Sequence, residues 1–175
     1  MRIALAALLL AVLISLSGVA YAGTTFTTSI NQDGNVCIDL FAARPIHGNL
    51  GMFAYVSASK GWSQGYTGPN LQYGIFSAGY GWGVETGSAS RSGGYASLDF
   101  GKVDLKYCYE DGGATGMWQK GLATYQLSDQ WAVGVAKKTG PGYGVQAECK
   151  LTPDLKVRGE LYEGGKSKIA LVVPL

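Results

Sequence analysis

The single imidazole of this chain is His47, set in Ala43-Arg44-Pro45-Ile46-His47-Gly48. Paired with a hydroxyl such as Ser57 or Ser59, it could act as the base for a serine nucleophile, the chemistry of a lipid-directed hydrolase or acyltransferase. Its Pro and Gly neighbours equally describe an exposed connection. Cys37, Cys108 and Cys149 are dispersed, and with one His and no C-x-x-C or H-x-x-x-H spacing the chain offers no metal site; no cofactor is expected. Gly79-Tyr80-Gly81-Trp82-Gly83 has the glycines of a nucleotide loop but not the helix that must follow one. Those glycines share one face of an extended segment, where missing side chains relieve crowding or allow curvature.

Charged side chains fall on alternate positions. Asp39 lies with Cys37 and Phe41, opposite Val36, Ile38, Leu40 and Ala42. Asp104, Lys106 and Glu110 alternate with Val103, Leu105, Tyr107 and Tyr109, and Glu148, Lys156, Arg158 and Glu160 do the same further on. Mixed signs on successive polar faces suit ion pairs inside a narrow lumen, so these eight residues are the candidate lumen and binding set. The opposing faces, Val145-Ala147-Cys149-Leu151 and Ile169-Leu171-Val173, carry no charge. Parity puts Cys37 and Cys108 on polar faces and Cys149 on an apolar one. Cys37 to Cys108 is the bridge that parity allows, three unbridged thiols being the alternative.

Alternation of this kind needs strands to position it. Segments of period two run through Val36 to Ala42, Leu50 to Ala58, Leu71 to Glu85, Tyr95 to Phe100 and Val103 to Glu110. They continue through Met117 to Leu127, Gln130 to Lys138, Tyr143 to Leu151, Leu155 to Glu163 and Ser167 to Val173. Gly, Pro and Asp clusters separate them. The longest connection is Ser59 to Asn70, which holds Lys60-Gly61-Trp62-Ser63-Gln64-Gly65-Tyr66-Thr67-Gly68-Pro69. Residues 126–131 and 150–155 are loosely alike, a repeated hairpin with both turns at one end. The fold class is all-β: an antiparallel up-and-down meander closed into a small β-barrel of about 8–10 strands, because closure removes exposed edges. A sandwich is the other all-β arrangement.

Residues 1–22 carry Arg2, an apolar run and Ala20-Tyr21-Ala22, the pattern of a cleaved secretory signal peptide. Residues 23–33 form an extended lead-in and 34–175 the barrel domain. With 27 Gly, 15% charged residues, 47% hydrophobic residues and a net charge of +2, disorder and nucleic-acid binding are both excluded as organising principles.

Alternation alone leaves open which face is inside. The signal peptide, the Gly- and Tyr-rich alternating strands and turns such as Leu127-Ser128-Asp129-Gln130-Trp131 resemble the small outer-membrane β-barrel proteins of Gram-negative bacteria. That resemblance implies apolar side chains outward, aromatics near the turns (Tyr125 and Trp131 at one end; Tyr107, Tyr109 and Tyr143 at the other) and outer-membrane lipid as partner. Trp118 departs from the pattern and requires a bulge or an inward ring. The chain also closes on Pro174-Leu175, where such barrels usually end on an aromatic residue. A structural, envelope-maintenance or narrow-conduit role follows, without catalysis. The alternative is a soluble periplasmic barrel of lipocalin type, with Leu105, Tyr107, Val145 and Leu161 lining a lumen for a small apolar ligand. A His47 enzyme is the third.

Overall fold

The computed structural model describes residues 23–87, 90–114 and 116–174; the signal-peptide segment 1–22 lies outside the described residues. Twelve strands follow one another: β1 Thr25–Asn31, β2 Val36–His47, β3 Leu50–Ser59, β4 Trp62–Tyr73, β5 Phe76–Glu85 and β6 Ser90–Asp99. The second half adds β7 Val103–Gly112, β8 Trp118–Gln126, β9 Trp131–Lys138, β10 Gly142–Thr152, β11 Leu155–Tyr162 and β12 Ser167–Pro174. Each pairs antiparallel with the next, and β1 pairs with β12 to close the ring.

The count exceeds the expected range by two strands. The lead-in is extended, but Thr25–Asn31 is a full barrel strand, hydrogen-bonded to β2 on one side and β12 on the other. The supposed long connection is β4, joined to β3 by Lys60-Gly61 alone, with Gly61 at φ 76°. On β1 the outward positions are Phe26, Thr28 and Ile30, too short a run for the alternation to stand out. The outward positions of β4 begin with Ser63, Gly65, Thr67 and Pro69, and turn hydrophobic only at its end with Leu71 and Tyr73. The segment from Leu71 to Glu85 divides into the end of β4, a turn, and β5.

Inside and outside are assigned by which strands touch. Side chains of strands that are not neighbours in the ring can meet only through its interior. Gln64 of β4 reaches Glu110 of β7, and Lys120 of β8 reaches Glu160 of β11, so the faces carrying these residues point inward. Cross-strand register carries that assignment around the ring. Leu105, Tyr107, Val145 and Leu161, 37%, 44%, 56% and 53% exposed, then face outward. The lipocalin-type lumen is therefore overturned: those aliphatic side chains clothe the outside, the distribution of a transmembrane barrel and the inverse of a soluble one.

Two outer aromatic girdles complete the exterior. Tyr73, Phe100, Tyr125 and Trp131 are exposed towards the end that holds the β1 start and β12 finish, called here the terminal mouth. Tyr80, Trp82, Tyr107 and Tyr143 are exposed nearer the opposite mouth. Strands of about ten residues, tilted as in other barrels, stand roughly 25 Å tall, the height of an apolar band that crosses a bilayer. The turns after β8 and β10 lie at the terminal mouth together, as their likeness in sequence implies. Cys149 faces out and Cys37 and Cys108 face in, but all three are free, so the Cys37–Cys108 bridge is not formed. Cys37 instead contacts Ser57 and Asp39.

Val135 and Val145 are paired at mid-height on the outer face. Replacing Val135 by Arg is expected to cost about 2–4 kcal/mol of stability in a bilayer, the penalty of a cation in hydrocarbon. Urea unfolding in lipid vesicles checks this; an unchanged midpoint would contradict the outward assignment.

Candidate functional site

The lumen is the site, and it is built from polar groups that alternation forces inward. Near the mouth opposite the termini, Arg91 at the start of β6 is held between two carboxylates. Its Nη1 lies 2.8 Å from Glu85 Oε2 and its Nη2 2.8 Å from Glu110 Oε2. The Gln64 amide donates to both oxygens of Glu110 at 3.0 Å, and the Tyr66 hydroxyl donates to the same group at 3.2 Å. Trp62 Nε1 donates to Glu85 at 2.7 Å. The arginine side chain is 2% exposed, so this network is solid wall and not open channel. In such surroundings charges persist only when paired and hydrogen-bonded.

Four further groups line the interior. Asp39 accepts from Ser57 Oγ at 2.6 Å and from the Tyr55 hydroxyl at 2.9 Å. Lys120 meets Glu160 at 2.8 Å across the lumen, and Tyr162 donates to the other oxygen of Glu160 at 2.9 Å. Glu148 binds Lys156 at 3.0 Å and Arg158 at 2.9 Å, the three sitting on facing positions of β10 and β11. Lys106 pairs with Asp104 at 2.7 Å nearer the terminal mouth. The structure thus places Asp39, Asp104, Lys106, Glu110, Glu148, Lys156, Arg158 and Glu160 on the inner face. It separates them into five groups and not one cluster.

The charges are unevenly distributed. Among the described residues, strands β8 to β12 turn six basic side chains inward, Lys120, Lys138, Lys150, Lys156, Arg158 and Lys168, against two acidic ones, Glu148 and Glu160. On β2 to β7 the balance is reversed. Asp39, Glu85, Asp99, Asp104 and Glu110 face Arg91 and Lys106.

Aromatic rings occupy the remaining wall. Phe41, Phe53, Tyr66 and Tyr95 pack edge to face or offset, with centroids 5.2 Å apart for Phe41 and Tyr95 and 5.3 Å for Phe53 and Tyr95. They fit there because β5 and β6 are bare beside them. A Cβ on Gly79 would come within 2.8 Å of the Phe53 and Tyr95 rings, and one on Gly93 within 2.7 Å of the Tyr66 ring. The glycine run of β5 thus has the crowding-relief role expected of it. Trp118 does turn inward, with Lys138 5.6 Å from its ring. What remains open is a cavity of about 860 Å³, which begins at the terminal mouth beside Gly48 and Gly74 and extends to Glu110 and Trp118 near the other end.

His47 is exposed in the β2–β3 hairpin, where it pairs with Leu50. Ser57 and Ser59 are seven and nine residues further along β3, roughly 24–30 Å away at strand spacing. The hydroxyl–imidazole pair is not formed, so the reading that rested on His47 with Ser57 or Ser59 falls. Among the described residues no group of His, Cys, Asp and Glu is arranged to hold a metal ion.

No protein-family model matches the chain, and no curated protein matches it. Solved structures do. The chain is similar to a structure of the KdgM porin at TM-score 0.59 and 11% identity, covering 86% of this chain and 96% of that one. It is also similar to a structure of the KdgM porin in complex with disordered oligogalacturonate, at TM-score 0.58 and 11% identity, with coverage of 86% and 96%. At that identity the likeness establishes the fold.

Arg91→Met strands two buried carboxylates and is expected to cost about 3–5 kcal/mol, whereas Arg91→Met combined with Glu85→Gln and Glu110→Gln should recover most of that loss. Heat-modifiable mobility on SDS gels across a temperature series measures both. A triple variant no more stable than the single one would show that the ion pairs are not what Arg91 supplies.

Proposed function

We propose that the protein is a narrow, passive conduit of the bacterial outer membrane for small hydrophilic solutes, with a preference for anions. One observation carries the reading: an apolar exterior encloses a polar lumen in which an open volume of about 860 Å³ extends from one mouth almost to the other. The long-range interior contacts run along consecutive arcs of the wall, β4 to β7 and β8 to β11. The basic surplus on β8 to β12 favours anions, because charge in a confined, weakly screened passage acts over its full width. The likeness to a porin solved with a polyanionic oligosaccharide is in keeping with that preference. The apolar girth makes outer-membrane lipid its solvent, and the signal-peptide pattern of residues 1–22 supports export to that membrane.

Purified protein in a planar bilayer is expected to give discrete, ohmic conductance steps with chloride more permeant than potassium. Lys138→Glu with Lys168→Glu changes the basic wall from six basic and two acidic residues to four of each. The reversal potential in a salt gradient should then move towards that of a cation-preferring channel. Absence of conductance from folded, inserted protein would overturn the conduit; an unmoved reversal potential would overturn the anion preference alone.

A further inference from the structure

On the outer face of β8 to β11 the register sets side chains in rows. Gly121, Lys137 and Tyr143 form the row nearest the mouth opposite the termini. Ala123, Val135, Val145 and Leu161 form the next, and Ala147, Gly159 and Ile169 belong to the one after. The wall they make is not smooth. A recess of about 740 Å³ is bordered by the first two rows, with Lys137 and Tyr143 at its edge. On the other flank of the Val135–Val145 row, a second recess of about 890 Å³ takes in Ala147, Gly159 and Ile169. Each crosses the four strands β8 to β11, about 14 Å at the usual spacing.

The glycines that open these recesses have no internal cause. A Cβ on Gly79 or Gly93 would strike a packed ring, whereas one on Gly121 or Gly159 would meet nothing within 4 Å, and neither residue takes left-handed backbone. Glycine inside a strand weakens it, so the space left on the lipid side is the feature these two positions add. A hydrocarbon chain lying in that space recovers the dispersion contacts that an empty groove forfeits. At the edge stands an uncommitted cation. Among the described residues Lys137 forms no ion pair, and its Nζ lies 4.9 Å from the centroid of the Tyr143 ring. The acidic group of the same recess, Glu163, is folded onto the backbone, where its Oε2 accepts from the Tyr143 N–H at 3.2 Å.

Transmembrane barrels carry short turns on the periplasmic side and longer ones outside. Here the six turns at the Lys137 mouth hold 22 residues and the five at the terminal mouth hold 13, which sets Lys137 against the outer leaflet. We propose that β8 to β11 form a seat for the phosphorylated, multiply acylated glycolipid of that leaflet, lipid A, with a phosphate on Lys137 and acyl chains in the recesses on either side of Val135 and Val145. The seat rests on the outer-membrane placement of the barrel and not on conduction. A neutral lipid would use the recesses alone, and free phosphate the lysine alone. Lipid A uses both, and its several chains suit two recesses that share one ridge. Its phosphomonoesters carry up to about two negative charges each, against one on the phosphodiester of an ordinary phospholipid.

Diphosphoryl lipid A and phosphatidylglycerol are the probes. Each is titrated into the folded protein in detergent micelles, and bound lipid is counted by native mass spectrometry. Lipid A should bind about tenfold more tightly than phosphatidylglycerol. Lys137→Gln should reduce it to the level of phosphatidylglycerol, and Gly121→Leu with Gly159→Leu, which fills the recesses from positions where a side chain meets nothing, should do the same. Lys102→Gln, in a turn at the terminal mouth, should leave the margin as it is. Equal binding of the two lipids by the unmodified protein would overturn the seat whether or not any variant folds, and so would a margin that survives Lys137→Gln. Conductance in planar bilayers without a lipid A margin overturns the seat and spares the conduit. A margin from protein that does not conduct supports the seat and overturns the conduit.

Discussion

Ring closure is the constraint from which the rest follows. In hydrocarbon an unpaired backbone N–H or C=O costs several kcal/mol, so a sheet can stand in a bilayer only if its first and last strands find each other. Here they do so through an unbroken register, Thr25 opposite Pro174 through to Asn31 opposite Lys168. The strand that makes this possible, Thr25-Phe26-Thr27-Thr28-Ser29-Ile30-Asn31, is among the least hydrophobic in the molecule. Its worth lies in its main chain, which satisfies β2 and β12 at once. Once the ring is closed, the two-residue period leaves every side chain only two destinations.

That choice sets the character of the interior. Charges that would be prohibitive in lipid are collected inside, where most pair with a neighbouring strand and Lys120 reaches Glu160 three strands away. The Arg91 network gains little stability beyond what an apolar replacement of similar volume would supply, but removing one member leaves buried charge without a partner. The looser groups, Glu148 with Lys156 and Arg158 among them, sit closer to water, and each such pair contributes about 0–1 kcal/mol. Their weight is electrostatic: they bias the passage they border. Aromatic packing against bare glycine backbone keeps the remaining wall thin enough for that passage to exist.

Much of this was legible in the sequence because parity is robust. The inward placement of Glu148, Arg158 and Glu160, and the outward placement of Val145 and Ile169, follow from alternation together with the rule that charge avoids lipid. Trp118 fits the same logic once an inward ring is allowed. β4 was hidden because outward Ser63, Gly65, Thr67 and Pro69 produce no hydrophobic period, and β1 because its outward face, Phe26, Thr28 and Ile30, is only three residues long. The aromatic wall was hidden for a different reason. Phe41, Phe53, Tyr66 and Tyr95 belong to four strands, and only the register that places Gly79 beneath Phe53 and Tyr95 shows that they form one surface. His47 was misleading because a nucleophile and its base must be adjacent in space, and a strand carries Ser57 away from it at more than 3 Å per residue.

The even number of strands brings the start of β1 and the finish of β12 side by side at one mouth, joined by the same ladder that links every other neighbouring pair. Nothing in the cylinder marks that seam as special. A chain re-cut at any hairpin on either rim, with the old ends bridged by a few residues, would specify the same wall, so the order in which the strands are translated is incidental to the architecture. Circular permutants therefore ask a question of biogenesis alone: whether the cell's insertion route needs a particular strand to arrive last.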